Sequence, residues 1–378
     1  MRKLRPRHLT ETRMTGMDTE TPSPEANGDD AARLAERVCE ARNAGNTLRI
    51  VGTGTKQFYG RKVRGEPLDV TSHRGIVNYE PTELVITARA GTPISEIESV
   101  LAERNQILAF EPPHLGPGAT LGGVVASGLS GPRRPYGGAV RDLVLGVRLI
   151  NGKGEILRFG GQVMKNVAGY DVSRLMAGAL GTLGVLLDVS LKLVPRPDVE
   201  RSLSFKMDAC AGVERMNQLA GQPLPLSAAC HYDGRLHLRL SGSAGGVADA
   251  CENLGGDEDQ SSDAFWSGIR EQTHPFFETE DPIWRISVPA KSAPLDLPGT
   301  WLVDWGGAQR WLASAADGNT IRDATENAGG HATRYRGGEE YDDRFHPLSP
   351  GLLTLHKRLK QAFDPDGILN PGRMYADF

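Results

Sequence analysis

Three stretches of this sequence are stripped of most of their side chains, and backbone bared in that way is suited to holding a large anion. The first, GTGTKQFYG from Gly52 to Gly60, follows the strand-like run Leu48 to Val51. Small residues there leave several main-chain N–H groups free to point one way, and such a nest binds a diphosphate with few cations. An ordinary glycine-rich turn fits the same residues. The second, GPGATLGGVVASGLSG from Gly116, runs on longer than a turn needs, which suits a flat, large ligand lying against main chain. The third, AGALGTLGV from Ala177 to Val185, repeats the pattern where a helix meets a strand. Three such stretches close together favour one long ligand over three separate turns. Side chains for acid–base work are scarcer. His114 stands beside Pro112 and Pro113 at the edge of the second stretch, whereas His331, His346 and His356 are isolated. Lone histidines serve structure more often than catalysis. Arg133 and Arg134 suit a carboxylate or a phosphate, or an exposed basic turn.

Several familiar chemistries are excluded by spacing. Gly52 and Gly54 begin a G-x-G-x-x-G fingerprint, but Gln57 occupies its third place, so a nicotinamide-type nest fails. Gly152-Lys153 is followed by Gly154 and makes no phosphate loop. Around Ser130, Gly131 and Pro132 break the G-x-S-x-G elbow, and no H-E-x-x-H occurs. Cys39, Cys210, Cys230 and Cys251 include no C-x-x-C pair, which reads as free thiols in a reducing cytosol. A net charge of −4 over 378 residues, with no basic block, argues against nucleic acid. No apolar run approaches the ~18 residues of a membrane helix.

The elements that must position these residues follow from periodicity. Residues 1–30, polar and holding Pro22 and Pro24, read as a disordered N-terminal extension in which Met14 or Met17 is a candidate start. A helix is expected from Asp30 to Ala44, ended by Gly45-Asn46. Strands are expected at Leu48 to Val51, Leu68 to Val70, Leu84 to Ala88, Leu143 to Ile150, Ile156 to Phe159 and Val185 to Leu193, with Asn151-Gly152 as a hairpin turn. Pro195 and Pro197 close this part at residue 197. From 198 to 349 short strands alternate with amphipathic helices, the signature of an antiparallel sheet covered on one side. The last part, 350–378, is a helix from Leu352 to Phe363 and then FDPDGILNPGRMY. The fold class is α+β.

Taken in order, RIVGTGTKQFYG, PGATLGGVVASGLSGPRRPYGGAVRDLVLGVRLINGKGEILRFGG, KNVAGYDVSRLMAGALGTLGVLLDVSLKLVP and DPDGILNPGRM resemble the FAD enzymes of the vanillyl-alcohol-oxidase and p-cresol-methylhydroxylase class. The resemblance implies a two-part FAD-binding domain (31–197), a reduced ferredoxin-like cap in place of a full substrate domain (198–349), and a C-terminal segment (350–378) returning to the first. It implies that Gly52, Thr53, Gly54, Thr55 and Lys56 form the pyrophosphate loop. Gly118, Thr120, Leu121, Gly122, Gly123, Ala126 and Ser127 would wrap the dinucleotide towards the isoalloxazine. Gly181 and Val185 would contribute backbone, and Asn370 would reach the flavin from the tail. Lys56 adds charge to that loop or is a solvated surface lysine. No His or Tyr falls in the loop, so the FAD is expected to be non-covalent.

Within that class, EPPHLGPGATLGGVVASGLSGPRRPYGG and DWGGAQRWL are most similar to the smaller flavin subunits of bacterial glycolate oxidases. That implies a part in oxidising glycolate, a small 2-hydroxy acid, to glyoxylate, beside a catalytic flavin subunit and an iron–sulfur subunit. Such a chain is expected to be cytoplasmic, or membrane-associated through its partners. Catalytic relatives carry an H-E-E-H stretch, absent here, so the catalytic residues are unassigned and His114, with no orienting acid evident, is the one candidate base. An accessory or electron-relaying role is therefore expected; a stand-alone FAD-dependent oxidoreductase for hydroxy acids or alcohols and a flavin-free scaffold are the alternatives. Trp301, Trp305 and Trp311 suit a partner interface or a core hairpin. On this reading Gly122→Val would push two methyl groups against the ligand.

Overall fold

The computed structural model describes residues 28–161, 171–258, 262–339 and 342–378. The first helix, Ala31–Ala44, buries Ala31, Leu34, Val38 and Ala41, one stripe at helical spacing. It ends at Gly45, whose φ of +70° lets its N–H return to the carbonyls of Ala41 and Arg42. Under that stripe lies a parallel pair of strands, Leu48–Val51 and Glu66–Asp69. An antiparallel sheet follows, ordered Ile76–Glu80, Val85–Arg89, Val185–Lys192, Val144–Ile150, Ile156–Gly160. Its central strand, Val185–Lys192, buries seven of its eight residues because it is covered on both faces. Helices Ile94–Ala102 and Leu121–Ser127 supply the cover on one side, packing Ile94, Ile97, Leu101, Val124 and Val125 against Ile86, Val147 and Val189.

The second module is one antiparallel sheet of eight strands, with Val199–Lys206, Arg235–Gly242 and Leu226–Tyr232 leading to Thr300–Asp304, Gln309–Ala313, Ile283–Ser287 and His331–Arg336. Helices Ala209–Ala220 and Ala244–Leu254 pack Val213, Met216, Leu219, Val247 and Ala250 on the sheet. A separate cluster rich in aromatic rings (Trp266, Phe276, Phe277, Trp311, Tyr335) meets Tyr59, Leu129 and Leu180 of the first module. The chain then crosses back in the helix Pro350–Phe363, and its tail joins the first strand: Leu48 N–H donates to Ile368 O at 2.7 Å and Asn370 N–H to Leu48 O at 2.9 Å.

Three expectations need correcting. Residues 28–30 belong to the folded chain, because Gly28 O accepts from Arg74 N–H at 3.1 Å and Asp30 N–H donates to buried His73 Nδ1 at 3.0 Å; residues 1–27 lie outside the described residues, as does KNVAGY, 165–170. The glycine-rich second stretch is in part a helix, Leu121–Ser127, capped by Thr120. Of the two readings of the tryptophans the partner interface fails and the core hairpin holds: Thr300–Asp304 pairs antiparallel with Gln309–Ala313, and Trp305 and Trp311 are only 8% and 5% exposed, at the seam between modules.

Candidate cofactor site

A cleft of about 610 Å³ opens where the first strand, the helix Leu121–Ser127, the loop 177–184 and the tail converge. Strand Leu48–Val51 delivers Gly52–Lys56 to its mouth. Gly54 has φ +83° and Gln57 N–H donates back to its carbonyl at 3.1 Å, so the loop turns at once. Thr53 Oγ1 donates to Gly118 O at 2.9 Å, tying this loop to the second stretch. Thr120 Oγ1 accepts from Gly123 N–H at 3.3 Å and starts the helix. On the far wall Leu180 N–H donates to Ala126 O at 2.9 Å, and Gly178 N–H to Val125 O at 3.0 Å. Asn370 closes the ring: its Oδ1 accepts from Ile50 N–H at 2.8 Å and its Nδ2 donates to Leu180 O at 2.7 Å.

Of the residues singled out from sequence, Gly52, Thr53, Gly54, Thr55, Lys56, Thr120, Gly122, Gly123, Ala126, Ser127, Gly181 and Asn370 line this one cleft. Gly118 stands behind it, held by Thr53. Leu121 and Val185 are core residues, 1% and 0% exposed, and their side chains do not face it. Gly122 lines the cleft, but for a different reason from the one given above. A Cβ there would stand 2.8 Å from Ala90 Cβ, and its N–H donates to Ala90 O at 2.7 Å. Its bareness lets the helix dock on the strand beneath, so Gly122→Val would strike protein before ligand. Gly52 and Gly181 are similar, with Cβ positions 2.9 Å from Thr120 Oγ1 and 2.7 Å from Asn370 Nδ2.

Lys56 is no surface lysine. It is 9% exposed and its Nζ donates to His114 O at 2.9 Å and Thr55 Oγ1 at 3.2 Å. Burial pulls its pKa down to about 8, with Glu271 opposing. His114 lies behind Lys56, outside the cleft lining. It does have an acid: Glu98 Oε2 lies 3.1 Å from Nε2 and raises its pKa against the effect of burial. Its backbone N–H donates to Glu271 Oε2 at 2.9 Å. Those contacts tie His114 into the support of Lys56.

Sequence reasoning missed Arg49, Arg344 and Arg373, which also line the cleft. Arg373 sits inside NPGRM and was legible as part of that motif; Arg344 had no local signal. With Lys56 and Lys62, five cations and no carboxylate line the cleft among the described residues. Burial, with the fields of Arg49 and Arg344, brings Arg373 down to about 10. The half-buried and buried cations Arg49, Lys56, Arg344 and Arg373, gathered in one cleft, suit an anionic ligand, and the bare walls suit an extended one. The residues present fit a dinucleotide carrying a diphosphate.

The family model described as FAD binding domain matches residues 26–160, and that of the C-terminal domain of FAD linked oxidases matches residues 346–374. Both regions wall the cleft. Glycolate oxidase subunit GlcE of Escherichia coli (strain K12) is 51% identical over 349 residues, 92% of this chain and 98% of that protein. The chain belongs to the GlcE family of glycolate oxidase subunits. Glycolate oxidase subunit GlcD of Bacillus subtilis (strain 168) is 33% identical over 34% of this chain but only 27% of its own length. D-lactate dehydrogenase of Anaerostipes hadrus is 32% identical over 35% of this chain and 28% of its length. A solved structure of p-cresol methylhydroxylase with substrate bound superposes with a TM-score of 0.68 at 15% identity, covering 92% of this chain and 87% of that one. The fold is accordingly the p-cresol-methylhydroxylase type, the cofactor is FAD, and the protein is an FAD-dependent oxidoreductase. No helix among the described residues is long and apolar enough to cross a membrane.

Proposed function

We propose that this chain is the accessory, FAD-holding subunit of a glycolate-oxidising assembly, and that 2-hydroxy-acid oxidation takes place on a partner. FAD, when bound, supplies two-electron oxidation and can pass electrons onward singly. This chain's residues bind it: the Gly52–Lys56 loop and the surrounding cations would hold the diphosphate, and the bare walls at Ala126, Ser127 and Gly181 would flank the rest. The binding is non-covalent, supported by a lining that holds no His, Tyr or Cys among the described residues. The division 31–197, 198–349 and 350–378 is supported by the change of sheet between Lys192 and Val199.

The observation that carries the accessory role is how the two modules meet. Phe58 on the cleft wall packs edge-on against Tyr335 at 5.2 Å, and Tyr335 against Trp311 at 4.9 Å. Behind these rings the seam holds a cavity of about 20 Å³. That is room for one water molecule rather than a hydroxy acid. A partner of the catalytic-flavin kind is supported by the sequence likeness to a GlcD subunit. An iron–sulfur partner is supported by the cysteines here, which have no cluster-ligating spacing. A cytoplasmic location, or membrane association through such partners, suits the polar composition.

A stand-alone hydroxy-acid oxidase would require the seam cavity to widen, and one observation favours it. Arg285, Gln309 and Asp304 line the seam cavity, a cation beside a carboxyl that burial raises to about 7, near where a base is most effective. The two readings separate in one assay. The purified yellow chain, given glycolate and an artificial electron acceptor, should turn over only when the partner subunits are added. Turnover by the chain alone, abolished by Asp304→Asn, would replace the accessory role with the second reading.

A further inference from the structure

Arg344 belongs to the second module, on the segment after strand His331–Arg336, yet it lines the cofactor cleft of the first. It is 7% exposed. Its Nη1 donates to Gly337 O and its Nη2 to Glu339 O, the latter at 2.9 Å. Its buried Nε meets no hydrogen-bond partner among the described residues. The carboxylates next to it in sequence are engaged elsewhere. Asp342 takes Arg334 Nη1 at 2.6 Å and the N–H of Glu339 at 3.0 Å, and Asp343 takes Arg61 Nη1 at 2.7 Å. Arg373 is in the same condition. Its guanidinium donates to the carbonyls of Arg61, Lys56 and Gln57, and it feels the positive field of Arg344. Main-chain carbonyls thus fix two guanidinium groups in place; among the described residues neither is hydrogen-bonded to a carboxylate, and only the field of Asp342 partly offsets the charge of Arg344. Such an arrangement is unfavourable until an anion enters.

We propose that Arg344 is a cofactor-binding residue: with Arg373 it forms an anion subsite by which the second module grips the diphosphate of FAD. The diphosphate carries the fixed negative charge of that dinucleotide, and guanidinium is the side chain that pairs with phosphate most firmly. The site is then completed by both modules, and neither the Gly52–Lys56 loop nor the tail accounts for all of it. The inference rests on the FAD reading of the cleft.

The test titrates the full-length apo chain with FAD, ADP and riboflavin, comparing wild type with Arg344→Gln and Arg344→Lys and recording each apo Tm. ADP carries the diphosphate without the flavin ring, and riboflavin the ring without the diphosphate. Arg344→Gln should bind FAD and ADP about ten- to hundred-fold more weakly, the worth of one charge-assisted contact, and leave riboflavin unchanged. Arg344→Lys should recover much of the loss. A Gln variant of normal Tm that binds FAD and ADP like wild type overturns the proposal, as does one that weakens FAD but not ADP. If the Gln variant loses its fold, hydrogen exchange on wild type decides: ADP should slow amides around Arg344, and no slowing overturns the subsite. A wild-type chain that binds neither FAD nor ADP would overturn the cofactor reading together with it.

Discussion

Lys56 holds its ammonium in a buried corner of the cleft, and that placement has a consequence in pH. With a pKa near 8 in the ligand-free protein, it is charged only in part above neutrality. An anion in the cleft favours the charged form, so binding takes up a proton above pH 8 and affinity declines as pH rises. The Kd for FAD should rise about tenfold from pH 8 to 9.5 in wild type. Lys56→Met should bind more weakly at pH 7 yet show a nearly flat profile up to pH 9, about one unit below the value to which burial brings Arg373. Fluorescence titration of apo protein across pH would measure both, and a flat wild-type profile would show that Lys56 does not face the anion. The loop carrying Lys56 was legible in sequence because spacing alone marks a nest. Its burial was not, since that depends on His114 and Glu271 arriving from distant parts of the chain. Arg344 was illegible for the same reason: nothing local distinguishes it from the other arginines around it.

At the scale of elements, strands and helices with a clear period were readable, and those whose composition follows another constraint were not. The segment Leu121–Ser127 read as bare main chain for a ligand because of Gly122 and Gly123, yet it forms a helix in which Gly122 permits close docking on Ala90. Strand Gln309–Ala313 was touched only by the hairpin reading of the tryptophans, because all five of its residues are buried and leave no alternation to read. Its neighbour, the turn Asp304–Gly307, shows what the buried polar residues there do. The Asp304 carboxylate accepts from Trp305 N–H at 2.7 Å, and Trp305 takes φ +52°. That aims the indole at the first module, where Nε1 donates to Gly131 O at 3.1 Å and Arg134 stacks 4.4 Å from the ring. Burial raises Asp304 to about 7, with Glu111 adding to the rise and Arg239 and Arg285 opposing it. A carboxyl raised on folding leaves the native state holding an extra proton between about pH 4 and 7. Its contribution to stability is therefore lost as pH climbs through that window. Asp304→Asn keeps an acceptor for Trp305 and never ionises. Its Tm should match wild type near pH 4.5 and exceed it by on the order of 5 °C at pH 8. Thermal melts at both values test this, and a variant less stable at pH 8 would mean that the ionised carboxylate is needed at the seam.

Considered whole, the molecule is closed by its ends. The last residues return to the first strand, so the cleft depends on a contact between parts of the chain separated by the entire second module. The motif DPDGILNPGRM was readable as a returning tail through resemblance, but what fastens it was not, because the fastener is a lysine in a helix that otherwise looks like an ordinary amphipathic one. Lys360 is 6% exposed, and its Nζ donates to Asp364 Oδ2 at 2.6 Å, Leu369 O at 2.7 Å and Thr182 O at 2.8 Å. Asp364, 1% exposed, also accepts from the N–H groups of Ile368 and Leu369. One ammonium thus joins the helix, the tail and the loop that carries Gly181, and Asn370 follows immediately. Burial lowers the pKa of Lys360 while Asp364 opposes that shift, as a buried pair requires. Lys360→Met would fill the volume but leave the Asp364 charge without its counter-ion, a loss of about 3–5 kcal/mol where a buried pair is broken. The double variant Lys360→Met/Asp364→Asn should recover part of that stability, because the stranded charge is gone. It should not recover the contact to Thr182 O, so its FAD should still dissociate faster than from wild type. Measuring Tm and flavin release side by side separates these effects. A double variant that regains wild-type retention of FAD would show that the tail is held well enough without the lysine, and that the ion pair serves stability alone.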